Sequence, residues 1–245
     1  MKPSFLPIFA AALLCGAPAS FAKLSPTAAK RPPTAAKRPA AADEDIIVVL
    51  RARAGMGSVQ AKNTLGFMYA TGRGVPKDYA EALRWYRKAA AQGSAKAQNS
   101  LGLMYSAGGG VRKDHAEAVK WYRKAAEHGH ALAQNNLGFA YAQGDGVRKD
   151  YAESVRWYRK GAEQGAAPAQ NSLGFMYATG RGVPKNYAEA GKWFLLAVAQ
   201  GQERAKRNYA ILQRILGEEE YRLFRRLRRQ HASGAANGTS GTSRG

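Results

Sequence analysis

The chain has 245 residues, 45% of them hydrophobic, and carries 38 Lys and Arg against 17 Asp and Glu, a formal net charge of +21. Its single cysteine, Cys15, lies in a segment expected to be removed, which excludes a disulfide framework, a thiolate nucleophile and a Cys-ligated metal from the mature protein. The charge points to an anionic partner or surface without naming one.

Residues 1–22 have the pattern of a secretory signal peptide: Lys2 supplies positive charge, residues 5–15 are almost all apolar, and Ser20-Phe21-Ala22 is a small-x-small cleavage site. The apolar run is about half of the roughly 20 residues a spanning helix needs. Cleavage after Ala22 is therefore expected, giving a periplasmic or secreted chain with no transmembrane segment. Leu14 is bulkier than the residue that usually precedes a lipidated cysteine, which argues against lipid attachment at Cys15. Residues 23–42 hold a tandem duplication, Pro-Thr-Ala-Ala-Lys-Arg-Pro at 26–32 and again at 33–39. Dense proline and Ala-only apolar content predict a disordered, semi-extended linker. It reads either as a solvated tether or as a basic segment touching anionic glycan or lipid headgroups.

From here a 36-residue period governs the chain, marked by Trp85, Trp121, Trp157 and Trp193. A fixed period of this size signals a stacked repeat array rather than a closed globule. One period before Trp85 lies Val49, so residues 43–57 occupy the place of a degenerate second helix and are expected to form an N-terminal capping helix over the open end of the array. A buried strand is the competing reading of Ile46-Ile47-Val48-Val49.

Four full repeats follow, at 58–93, 94–129, 130–165 and 166–201. In the first helix of each, positions such as Ala61, Leu65, Met68 and Tyr69 recur at helical spacing and form one apolar face. Gly66, Gly102, Gly138 and Gly174 sit inside these helices, where glycine costs roughly 1 kcal/mol relative to alanine, and predict a backbone-to-backbone approach of two helices. A Gly-x-Gly-Val turn leads to a second helix that opens on a capping box, Asp78 with Glu81, Asp114 with Glu117, Asp150 with Glu153 and Asn186 with Glu189. Gly93, Gly129, Gly165 and Gly201 suit left-handed caps at its end. Residues 202–231 continue for half a unit and close with a different helix, acidic at its start and arginine-rich towards its end as the helix dipole favours. Small polar residues from 232 to 245 predict a disordered tail.

The unit Ala-x-x-x-Leu-Gly-x-x-Tyr, Gly-x-Gly-Val, Asp-Tyr-x-x-Ala-x-x-Trp-Tyr-x-x-Ala-Ala closely resembles the Sel1-like repeat, a relative of the tetratricopeptide repeat, over about three quarters of the chain. Asn186 for Asp, Gly161 for Ala and Phe194-Leu195-Leu196 for Tyr-Arg-Lys depart from it. The resemblance implies an all-α, right-handed α-solenoid of antiparallel helix pairs. It also implies a protein that binds a protein or peptide partner as an envelope scaffold, adaptor or regulator.

No residue set points to catalysis. The glycine turns follow helices rather than strands and lack a Lys-Ser/Thr ending, so they are not phosphate loops. His115, His128, His130 and His231 show no metal-ligand spacing, and His128 with His130 read as surface residues rather than ligands. The recurring acids serve every unit as helix caps, which a single active site would not require. The expectation is a non-enzyme with no cofactor and no metal.

Two residue sets are candidates for binding. Asn63, Asn99, Asn135 and Asn171, with Phe67, Leu103, Phe139 and Phe175 four residues later, form a ladder read as pointing away from the apolar face into a concave groove. The competing reading makes these asparagines inter-repeat hydrogen bonders and the Phe positions core. Arg84, Arg87, Lys88, Lys120, Arg123, Lys124, Arg156, Arg159 and Lys160 form a basic ridge. It suits an anionic envelope polysaccharide or lipid surface, or is simply a solvated face partly neutralised by Glu81 and its equivalents. Nucleic acid is not expected, given export and the absence of interleaved exposed aromatics.

Overall fold

The computed structural model describes residues 40–237, apart from the side chains of 40–44 and of several positions after Gly217. The signal segment, the linker before Ala40 and residues 238–245 lie outside the described residues. Among the described residues the chain forms ten helices and no strand. They are α1 (Ala40–Gly55), α2 (Val59–Thr71), α3 (Tyr79–Ala91), α4 (Ala95–Ala107), α5 (His115–Glu127), α6 (Ala131–Gln143), α7 (Tyr151–Glu163), α8 (Ala167–Thr179), α9 (Tyr187–Ala199) and α10 (Glu203–Asn237). None is long and apolar enough to cross a membrane. This is an all-α repeat fold with two helices per 36 residues.

The β-branched run at 46–49 is helical, not a strand. Helix α1 starts at Ala40, inside what composition assigned to the linker, and buries Ile47 and Ala54 while leaving Val48 and Val49 exposed. At the other end, helix continues to Asn237 instead of yielding to a tail at 232. Within α10 the residue Gly217 has φ 61 and ψ 175, a conformation open essentially to glycine alone, and breaks it in two just before the three glutamates.

The chain divides into two compact units at Asp150/Tyr151, inside the third repeat. In the first unit, Leu65, Leu101 and Leu137 are fully buried on α2, α4 and α6, with Ala82, Leu83 and Tyr86 of α3 and Ala118, Val119 and Tyr122 of α5 packed among them. In the second unit, Leu173 and Met176 of α8, Phe194 of α9 and Leu212 of α10 play the same part.

Caps explain the sharp helix boundaries. Asp78 Oδ1 accepts from the amides of Ala80 (2.8 Å) and Glu81 (3.0 Å), and Asp114 and Asn186 cap α5 and α9 likewise. The reciprocal half of the capping box does not form. The Asp78 amide donates instead to the Tyr69 carbonyl of the preceding helix at 2.9 Å, as Asp114 does to Tyr105 and Asn186 to Tyr177. Glu81, Glu117 and Glu189 are thereby released for side-chain partners. First helices begin on Ser58, Ser94 and His130, each accepting from an amide at N3, whereas α8 starts at Ala166 with Pro168 nearby and no side-chain cap.

The helical glycines serve the close approach of a ring as well as of backbone. A Cβ on Gly66 or Gly102 would lie 2.7 Å or 2.5 Å from the ring of Tyr86 or Tyr122, and one on Gly174 would lie 2.7 Å from Phe194. These three glycines admit an aromatic ring of the second helix, and at Gly102 and Gly174 its backbone comes close as well, the added Cβ standing 3.2 Å and 3.0 Å from the carbonyl oxygens of Ala118 and Ala190.

Candidate functional site

The asparagine and apolar positions do not share one exposed face. Asn63, Asn99 and Asn171 are buried, and Asn135 is half-buried. Asn63 Nδ2 donates to Ser94 Oγ at 2.8 Å, Asn99 Oδ1 accepts from Asn136 Nδ2 at 2.9 Å, and Asn171 Oδ1 accepts from Asn208 Nδ2 at 2.8 Å. Each of these bonds joins a first helix to the repeat that follows. Of the apolar positions, Phe67 is exposed, Leu103 and Phe139 are half-buried, and Phe175 is buried. Arg181 caps the Phe175 ring, its guanidinium carbon 5.5 Å from the centroid. Within the first unit, Phe67, Leu103 and Phe139 therefore recur on α2, α4 and α6 with their rings or side chains still reaching solvent.

Every cation of the basic ridge has an intramolecular partner. Arg84 pairs with Glu81 at 2.5 Å, Lys120 with Glu117 at 3.0 Å and Arg156 with Glu153 at 2.6 Å. These are exposed pairs of small net worth. Arg87 donates to Tyr105 Oη at 3.0 Å, Arg123 to Tyr141 at 2.9 Å and Arg159 to Tyr177 at 2.9 Å. Lys88, Lys124 and Lys160 stand over the rings of Trp85, Trp121 and Trp157 at 4.6, 4.7 and 4.4 Å. So each triplet has one residue neutralised within its helix, one strapped to the next first helix and one riding on its own indole. The charges remain at the surface, with Arg123 and Arg159 half-buried.

The straps were missed at the level of sequence although their signal is there. Arg and Tyr recur 18 positions apart, and the series extends back to α1, where Arg51 donates to Tyr69 at 2.6 Å. In the last full repeat both members change together, to Leu195 and Gln213.

The histidines have local roles. His130 Nδ1 accepts from the Ala133 amide at 3.2 Å, and His128 Nδ1 lies 3.1 Å from Gln98 Oε1. Burial, helped by the nearby charge of Lys96, holds the His130 imidazole below its ordinary pKa. Burial likewise pushes the Tyr86 hydroxyl up to about 12. Among the described residues no group of three or more His, Cys, Asp or Glu is placed to hold a metal.

Comparison with known families matches the Sel1 repeat at residues 59–94, 95–130, 131–165 and 167–202, more than half of the chain. The chain is similar to c5321, a protective antigen present in uropathogenic Escherichia coli strains that displays an SLR fold, at 44% identity and a TM-score of 0.62. That likeness covers 66% of this chain and 35% of the other. A Sel1 repeat protein from Oxalobacter formigenes is similar at 41% identity and a TM-score of 0.59, over 62% of each chain. The chain thus spans about a third of the first and under two thirds of the second. No curated protein matches it.

Proposed function

The chain belongs to the Sel1 repeat family, whose repeats generally mediate protein–protein interactions, and from that premise we propose that it is a non-enzymatic scaffold of the bacterial envelope binding a protein or peptide partner. The observation that carries this reading is the row Phe67, Leu103 and Phe139, one apolar side chain per repeat on successive first helices of the first unit, each open to solvent. An apolar row at fixed spacing suits alternate side chains of an extended segment. The buried asparagines support it indirectly, by holding the first helices in register. The envelope assignment rests on the signal pattern of residues 1–22.

A second reading, binding of an anionic envelope polymer or lipid surface, is favoured by the exposure of Arg84, Lys88, Lys120, Lys124, Arg156 and Lys160. The two separate by salt, because screening shortens electrostatic reach to a few ångströms near 1 M. Crosslinking in intact cells, followed by capture of the identified partner on the purified chain, tests the scaffold. Saturable capture that survives about 0.5 M salt and weakens when Phe67 and Leu103 become Ser supports it. Capture that collapses with salt and ignores those substitutions transfers the function to the basic face.

A further inference from the structure

Helix α10 continues the register of the first helices, but two registers that are inside elsewhere are outside here. Asn63, Asn99 and Asn171 are buried and bonded to the repeat that follows, and Ala70 and Ala142 are buried as well. At the same places α10 carries Arg207 and Arg214, both exposed. Among the described residues no further repeat covers this face.

The exposed residues form a stripe. At about 100° per residue, Arg204, Arg207, Ile211, Arg214 and Ile215 fall within an arc about 100° wide. All five are exposed, Ile211 by 37% and Ile215 by 56%. A polar outer face is what the end of an array needs, and two open isoleucines exceed that need. Ile215 stands where the other first helices carry Thr71, Ala107, Gln143 and Thr179. Ile211 does not prolong the open row of the first unit, because Phe175, one period before it, is buried.

The arginines are less engaged than the cations of the ridge. Arg204 and Arg214 make no hydrogen bond or ion pair among the described residues, whereas every ridge cation has a partner. Glu203, at the edge of the stripe, is paired with Lys206 at 2.6 Å. Past the kink at Gly217 the basic character resumes, with Arg222, Arg225 and Arg226 exposed. By position on that segment Leu223, Phe224 and Leu227 share one arc of about 100°, opposite these arginines. Even with the three glutamates after Gly217, α10 holds nine Lys and Arg against four Glu.

We propose that the outer stripe of α10 lays the chain on an anionic phospholipid surface, its arginines on headgroup phosphates and Ile211 and Ile215 entered below them. Arginine forks match phosphate oxygens, and a basic helix face interrupted by apolar side chains suits the boundary between headgroups and acyl chains. No described helix is long and apolar enough to cross a bilayer, so the contact is lateral. An acidic polysaccharide would satisfy the arginines and give the isoleucines nothing. A second copy docked on the same face would cover the isoleucines but set like charges against each other. The inference shares an anionic ligand with the second reading above but not its site, which lies on α3, α5 and α7.

The purified full chain is sedimented with vesicles of phosphatidylcholine alone and with about 30% phosphatidylglycerol added, at about 0.1 M salt. The expected result is binding to the anionic vesicles only. Arg204→Gln with Arg214→Gln weakens it about thirtyfold, and Ile211→Ser with Ile215→Ser weakens it about fivefold. Arg84→Gln with Lys120→Gln, on the ridge, leaves it within about twofold. All six side chains are exposed, so each variant is expected to keep the circular dichroism of the parent. An arginine pair on α10 without effect overturns the site, as does a loss confined to the ridge variant. An isoleucine pair without effect shows adsorption by charge alone and overturns the lipid assignment. Self-association abolished by the isoleucine pair, with no vesicle binding, makes this face an interface between copies and overturns it too. Absent vesicle binding overturns the inference whether or not a partner is captured, and vesicle binding without any salt-resistant partner removes the scaffold reading alone.

Discussion

Arg87 Nη2 donates to the hydroxyl of Tyr105 at 3.0 Å and so ties the second helix of one repeat to the first helix of the next. The same donor and acceptor return at Arg51 with Tyr69, Arg123 with Tyr141 and Arg159 with Tyr177. Because the partners sit on different repeats, the bond stabilises stacking and not either helix alone. A charge-assisted bond at a partly solvated site contributes about 1 kcal/mol. Tyr105→Phe and Arg87→Met are each expected to lower unfolding free energy by about that amount. The double variant is expected to lose no more than the worse single one, measured by urea denaturation in a double-mutant cycle. Strictly additive losses would show that the two side chains are not coupled.

Gly102 lies under the ring of Tyr122, where an added Cβ would stand 2.5 Å from Cδ1 and Cε1 and 3.2 Å from the Ala118 carbonyl oxygen. Tyr122 is buried. Intrinsic helix propensity favours Gly102→Ala by roughly 1 kcal/mol. Overpacking opposes it by about 1–3 kcal/mol, and is expected to win. A lower urea midpoint with an unchanged slope is the signature; a raised midpoint would mean that the ring yields.

His130 caps α6 with an unprotonated Nδ1, and burial together with Lys96 holds its pKa down. A depressed histidine pKa means that the unfolded chain takes up the proton first. The contribution of the cap is therefore complete above the ordinary value of about 6.5 and is lost as pH falls below it towards the folded value. His130→Ser, the residue at Ser58 and Ser94, accepts the same amide at every pH. The expected outcome is a Tm that falls between about pH 7.5 and 5.5 in the parent and falls less in the variant. His115 and His128 are retained in both, so the difference isolates position 130. Parallel pH profiles would assign the dependence to those other groups.

The helix pairs, their boundaries and their caps were legible because each unit states them again, and four statements of one pattern leave little ambiguity. The sequence left Asn63, Asn99 and Asn171 open between lining a groove and bonding between repeats, and the structure shows the second. Amphipathic reading assigns one buried face to a helix, but a first helix in a stack is covered by its own partner and by the following repeat. Thus Lys62, Asn63, Leu65, Gly66, Met68 and Tyr69 of α2 are all buried, and polarity no longer marks the solvent side. The Arg–Tyr straps escaped for a related reason. Both ends look like ordinary surface residues until the repeats are set side by side. The constant spacing of Arg and Tyr and its paired loss at Leu195 and Gln213 are the traces the link leaves in the sequence itself.

The strap has one further consequence, for inheritance. Its donor and acceptor sit half a period apart and recur with the period, so duplicating or deleting 36 residues anywhere in the run leaves every Arg opposite a Tyr. An array joined in this way can lengthen or shorten by recombination without new seams having to evolve, and its reach is free to follow the size of whatever it holds.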